Sequence, residues 1–308
     1  MKIIVPIKIT DAMLSSSTIA EPDTGETAWV SAGTYVAGDE RIRTTTHKRY
    51  ICILGHTGVT TFPENDATHW TAVKNGTTNR WMAFDTSVST ASTATGSMTI
   101  VLQPGFFNAI GLYNLTGSSI EVTVKDTPGG AVIFYYSGDL FESFPDFYEW
   151  LFSPYKPLTK LVLDDILPYD TAELTITVTA GASDPVGIGM ISIGDMRPFI
   201  TSKEIGGTQY GARIEPVDYS YVKTDDYGVT SIVKRVATTN LNASVFLPRE
   251  DADYVSGLLT EILSVPVAVI ASEAPWASAL SVFGLVSGSI EYAGPNHAIG
   301  TITVKGLT

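Results

Sequence analysis

Strand periodicity dominates the chain. Residues 3–9 (IIVPIKI), 98–102 (MTIVL), 120–125 (IEVTVK), 174–179 (LTITVT) and 299–304 (IGTITV) largely alternate apolar and polar positions, and Gly, Pro, Asn or Asp punctuates their ends. That pattern predicts half-buried strands of antiparallel sheets. Residues 131–136 (AVIFYY) are continuously apolar, which predicts a strand covered on both faces. Two stretches predict helix. Residues 144–152 are short and aromatic, whereas residues 249–263 (REDADYVSGLLTEIL) carry acidic residues in the first turn, where the helix dipole favours them. In the second stretch Tyr254, Leu258, Leu259 and Ile262 share one face, and Pro266 ends the helix.

Changes of texture divide the chain into four parts. Residues 1–24 read as an N-terminal strand segment with a polar loop. Residues 25–80 are rich in Thr, Gly, Trp, Tyr and His, with few aliphatics, and read as a small module. Residues 81–200 hold the longest run of regular strands and suggest a β-sandwich. A Gly-rich connection over residues 202–211 then leads to a C-terminal α+β unit, residues 201–308. The expected fold is mainly β, without a fixed-period repeat or a long low-complexity segment.

Composition sharpens this picture. Only 17% of the 308 residues are charged while 44% are hydrophobic, a balance suited to sheet proteins whose surfaces neighbours cover. The net charge of -13, with no block of Lys or Arg, argues against nucleic-acid binding. The single cysteine, Cys52, provides neither an internal disulfide nor a metal-binding Cys pair. Lys2 and the apolar run after it are interrupted at Pro6 and Lys8 without a cleavage site, so they do not read as a secretory leader. No apolar stretch approaches the roughly 20 residues of a membrane span, and folding in the cytoplasm is expected.

The module has the most informative spacing. It runs Trp29-Val-Ser-Ala-Gly-Thr-Tyr35-Val-Ala-Gly38-Asp39, then Tyr50-Ile-Cys52, His56, Pro63 and His69-Trp70. So small a unit must pack its aromatics against short strands, with Gly38-Asp39 at a turn. The pattern resembles small chitin-binding-type carbohydrate modules over about 45 residues, by their W…Y..GD…(Y)…P…W signature. The resemblance implies that Trp29, Tyr35, Tyr50 and Trp70 stack on sugar rings. A core made of the same four aromatics is the structural alternative. Residues 40–48 (ERIRTTTHK) insert three basic residues where a short hairpin turn would suffice.

Two further segments carry a second resemblance. Thr78-Asn-Arg-Trp81-Met-Ala-Phe84-Asp85 precedes Gly105-Phe-Phe-Asn-Ala-Ile-Gly-Leu-Tyr-Asn-Leu115, and this looks like the opening of a jelly-roll sandwich of phage virion proteins. Ser192-Ile-Gly194, Gly207-Thr-Gln-Tyr-Gly211, Asp218-Tyr-Ser220, Lys223, Asp225 and Tyr227-Gly228 resemble a segment of bacteriophage tail-tip and baseplate proteins. The resemblance implies a structural subunit in a homo-oligomeric ring with other tail or baseplate subunits, located in the virion. A host-recognition protein binding a surface glycan is the runner-up, followed by a polysaccharide hydrolase. Residue by residue, Gly207 and Gly211 suit tight turns, and Asp218, Lys223 and Asp225 read as surface or interface charges.

No enzyme motif completes a set. The four histidines are His47, His56, His69 and His297, and Cys52…His56…His69 matches no common zinc spacing. Gly187-Ile-Gly189-Met-Ile-Ser192 lacks the third glycine of a dinucleotide fingerprint and reads as a strand with close backbone approach. Asp164-Asp165 and Glu142…Asp146 are the carboxylate pairs to weigh for glycoside hydrolysis. The expectation is no catalytic residue, no metal and no cofactor.

Overall fold

The computed structural model describes residues 1–141, 146–154, 156–202, 206–224, 227–272 and 274–307. It is mainly β, with several antiparallel sheets, one curled into a half-barrel, and few helices. The chain opens with β1 (Lys2–Pro6) and β2 (Leu14–Ser17). The module contributes β3 (Thr34–Tyr35), β4 (Glu40–Arg43), β5 (Lys48–Cys52), β6 (His56–Thr57) and β7 (Trp70–Thr77). The sandwich follows as β8 (Ser92–Thr95), β9 (Ser97–Leu102), β10 (Ala109–Thr116), β11 (Ser119–Lys125) and β12 (Val132–Asp139). It continues through helix α1 (Phe147–Phe152) to β13 (Lys160–Leu163), β14 (Glu173–Thr179) and β15 (Pro185–Pro198). The C-terminal part holds β16 (Gly207–Thr208), β17 (Arg213–Val217), β18 (Tyr221–Thr224), β19 (Thr230–Val233) and β20 (Thr238–Pro248). Helix α2 (Arg249–Glu261), β21 (Pro266–Ile270), β22 (Ser281–Glu291) and β23 (His297–Gly306) complete it.

An eleven-stranded sheet, in the order β13-β10-β15-β1-β21-β22-β23-β20-β16, runs through sandwich and C-terminal part alike; β8 also pairs with β15, and β17 with β20. A second sheet, β12-β11-β14-β9-β2, completes the sandwich. Period-two burial explains the packing. Met98, Ile100, Leu102, Ile120, Val122, Val124, Leu174, Ile176 and Val178 point inward from that second sheet. They meet Ile110, Leu112, Ile191 and Ile193 of the long sheet.

The seam between the two halves is β1. It pairs with β15 on one side and β21 on the other, so Lys2 lies opposite both Pro198 and Ile270. Ile3 packs into the core beneath α2, and Ile4 packs into a smaller cluster with Tyr113, Met190, Ala268 and Phe283. Successive side chains of one strand therefore close two cores on opposite faces of the sheet. Gly194 fixes this approach, because a Cβ there would stand 1.9 Å from the Val5 carbonyl oxygen. The close backbone approach expected at residues 187–192 is seen at Gly189, where a Cβ would stand 2.7 Å from the Val88 carbonyl oxygen.

The C-terminal helix follows its own stripe. Ala252, Val255, Leu258 and Ile262 are buried, while Tyr254, expected on the same face, lies at the exposed margin. In the first turn of α2, Asp251 is buried and accepts hydrogen bonds from the hydroxyls of Thr201 (2.6 Å) and Ser202 (2.7 Å). It also accepts from the backbone N–H groups of both residues. Burial works against the charge, yet these hydrogen bonds outweigh it and hold the carboxyl below its ordinary range.

Two expectations need correction. Residues 131–136 are not covered on both faces: β12 is the edge of the five-stranded sheet, with Val132 and Tyr135 exposed. Its apolar run serves one inner face through Ile133, Phe134 and Tyr136, and the outer side chains stay in solvent. The aromatic helix begins at Phe147, with the Asp146 carboxylate capping the Glu149 N–H at 2.8 Å; the remainder of that expectation, residues 144–145, lies outside the described residues. Asp225 and Glu142 lie outside them as well.

Truncating Ile3 to Ala should cost about 2–5 kcal/mol. Urea unfolding should show this as a lower midpoint at unchanged slope. Asp251→Ala should cost about 1–3 kcal/mol through the donors it strands. Because the folded carboxyl titrates below its unfolded value, its contribution is present above pH ~4 and is lost as pH falls further. The wild type minus Asp251→Ala stability difference should therefore shrink on acidification, as read by urea titrations between pH 3 and 7.

Candidate functional site

The module is held by a core of five residues. Trp29, Tyr35, Tyr50 and Trp70 are 8%, 5%, 4% and 2% exposed and cluster with the buried Cys52. The rings of Tyr35 and Trp70 meet edge to face at 4.9 Å, a favoured aromatic geometry. The Tyr35 hydroxyl donates to the Val30 carbonyl at 2.8 Å and accepts from the Val30 N–H at 2.7 Å. These are the four residues expected to stack on sugars. Here their faces are spent on one another, because a unit poor in aliphatics has no other core to build. Gly38, at φ +95, makes the expected turn between β3 and β4.

Outside this core lies a layer of arginines that sequence reasoning missed. Arg43 stacks over Phe62 at 4.0 Å and over Trp29 at 5.3 Å, and its guanidinium meets the Glu64 carboxylate at 3.2 and 3.3 Å. Arg41 lies over the Tyr35 ring at 5.2 Å beside Asp39. Arg49 pairs with Glu40. The segment 40–48 is therefore no surplus insert: Glu40–Arg43 is strand β4, and its alternate arginines cover the aromatic core. Two arginines spaced i, i+2 in a strand-like run were the available signal.

Two of the module's histidines lie side by side, and both ring nitrogens of His56 are buried without a hydrogen-bond partner among the described residues. His69 bonds Asp66 through Nδ1 at 2.8 Å, and its ring lies 4.5 Å from that of His56. The Cys52 Sγ contacts the Leu54 carbonyl oxygen at 3.2 Å, and burial pushes this thiol up. Among the described residues no group of three or more His, Cys, Asp or Glu could hold a metal ion.

The segment 78–85 ties the module to the sandwich. The Asn79 side chain bonds the Thr93 N–H and carbonyl, both at 2.8 Å, as a strand neighbour would. Trp81 stacks on His47 at 4.0 Å. The two ring nitrogens of His47 meet Glu21 at 3.0 Å and Asp11 at 2.9 Å, and Glu21 also accepts from Thr78 at 2.6 Å. Asp85 accepts from Ser87 and Thr90, while burial pushes its carboxyl up. A groove of about 360 Å³ runs along this joint, lined by Asp23, Glu26, Glu40, Arg49, Asn79 and Thr93. Its carboxylates are engaged: Glu26 accepts from the backbone of Asp23 and Asn79, and Asp23 accepts from the Asn79 amide.

Of the carboxylate pairs, Asp164 is ion-paired with Lys2 at 3.3 Å, and Asp165 lies beside it in a groove with Leu167 and Met196. Asp146 is the cap of α1. The largest features left open are apolar. The residues of β18 and β19 are exposed throughout, and so are Tyr148, Leu151 and Phe152 of α1. No helix among the described residues is long and apolar enough to cross a membrane.

Comparison with protein-family models, curated proteins and solved structures finds no match to this chain.

Trp70→Ala should empty the centre of the module and cost it about 3–5 kcal/mol. Limited proteolysis should then cut first within residues 25–80, with the sandwich fragment surviving; simultaneous loss of both would show the two parts to be one folding unit.

Proposed function

We propose that this protein is a non-enzymatic structural subunit of a larger particle, of the phage tail-tip or baseplate kind, working through contacts with copies of itself and with other subunits. One observation carries the reading. The ribbon β18–β19 projects as a two-stranded sheet of its own, with Tyr221, Val222, Ile232 and Val233 all 53–64% exposed. A two-stranded ribbon without a third strand or covering layer is marginal in water, so such an element is suited to being covered by a partner.

The tail assignment draws on the resemblance in residues 78–115 and 192–228. Its first segment has a mechanical part to play, since Asn79 and Trp81 tie module to sandwich. The low charge of the chain suits a surface that neighbours cover. On this reading the mature location is the virion tail, no cofactor takes part, and the module is a rigid projection.

Immunogold labelling and peptide mass spectrometry of purified particles from the source strain test this. The chain should appear at a fixed ratio to other tail proteins, with label at one end of the tail. Recovery only in the soluble fraction, with no label on particles, would overturn it.

A further inference from the structure

The exposed apolar elements lie near opposite edges of the long sheet. Strand β13, which follows α1, is one end of the eleven-stranded sheet, and β20, from which the ribbon springs, is near the other. Seven strand steps separate them, or about 34 Å along the sheet. The ribbon leaves where Val217 faces Thr238, the last pair between β17 and β20. Register places Tyr221 and Val233 on one of its faces and Val222 and Ile232 on the other. α1 offers Tyr148, Leu151 and Phe152, 54–70% exposed, with the Tyr148 and Phe152 rings 4.8 Å apart.

The two surfaces differ in charge. Residues 139–152 carry four acidic residues and no basic one. The ribbon, residues 218–235, balances Asp218, Asp225 and Asp226 against Lys223, Lys234 and Arg235, and is neutral in a chain of net charge -13. Among the described residues, Lys223, Lys234 and Arg235 have no carboxylate partner, and Asp139, Asp146 and Glu149 have no cationic one.

We propose that the ribbon β18–β19 of one copy docks on α1 of a second copy, with Lys234 and Arg235 facing the acidic residues around the helix. The proposal names a contact for the assembly reading above and rests on it. Because donor and acceptor are different surfaces of the chain, the contact is head to tail. Repeated by every copy, it closes into a ring or extends as a filament.

Sedimentation velocity of the full chain up to roughly 100 µM provides the test. The wild type should associate. Val222→Asp with Ile232→Asp in the ribbon, and Tyr148→Ala with Leu151→Asp in the helix, should each weaken association at least ~10-fold. An equimolar mixture of the two variants retains one intact donor and one intact acceptor, so it should form dimers and nothing larger. Lys234→Glu with Arg235→Glu leaves the apolar surface untouched and should weaken association in the same sense, with circular dichroism unchanged. Wild-type association that either pair of apolar substitutions leaves intact would overturn this contact and leave the assembly reading standing. A mixture that forms no dimer would do the same. A wild type that stays monomeric would overturn the contact and self-assembly together.

Discussion

The structure depends on one insertion: β1 must lie between β15 and β21. β21 is a buried strand rich in β-branched residues and β15 is buried over most of its length, and without β1 each would present an open ladder edge. With it, a sandwich sheet and a helix-backed sheet become one surface, with Ile3 closing the core under α2 and Ile4 closing the cluster on the other face. The partners are far apart in sequence, since Lys2 pairs with both Pro198 and Ile270. Loop closure over such distances makes this pairing costly to reach early. The glycine at 194 removes the steric obstacle at the point where the two backbones come closest.

Much of the β content was legible because alternation reports directly which side chains face a core. The strands at 98–102, 120–125, 174–179 and 299–304 all lie within observed strands. Alternation does not report neighbours. Nothing in residues 3–9 says that they join two sheets, and nothing in residues 131–136 says that they sit at an edge, where an apolar run need be buried on one side only. Helix α2 was legible from its acidic first turn and its stripe, although Tyr254 belongs just outside that stripe. Asp251 gave no signal, because its partners, Thr201 and Ser202, come from a connection with no periodicity.

The module's aromatic residues could be read in two directions, for a physical reason. A Trp or Tyr in a small Gly- and Thr-rich unit suits either a ligand face or a core, and spacing alone does not choose. Trp29, Tyr35, Tyr50 and Trp70 turn inward because the module has too few aliphatics to fill its centre. Tyr148, Phe152 and Tyr221, which drew no attention as sites, turn outward. A charged fraction of only 17% hinted that apolar surface would be left open, but it could not locate that surface.

The junction gives the phage resemblance its meaning. Asn79 substitutes for a strand neighbour of Thr93, Trp81 lies flat on His47, and Asp85 caps the loop that follows. Asn79 and Trp81 in that motif are occupied in joining the two units, while the Arg80 Nε is buried without a hydrogen-bond partner among the described residues. A likeness carried by such residues is therefore a likeness of architecture: it speaks to how a module is fixed to a sandwich. On the assembly proposed above, a subunit meets its neighbours elsewhere, through the ribbon and through α1, where the residues of β18 and β19 and the side chains of Tyr148, Leu151 and Phe152 are exposed. On that proposal, architecture and association are written in different residues.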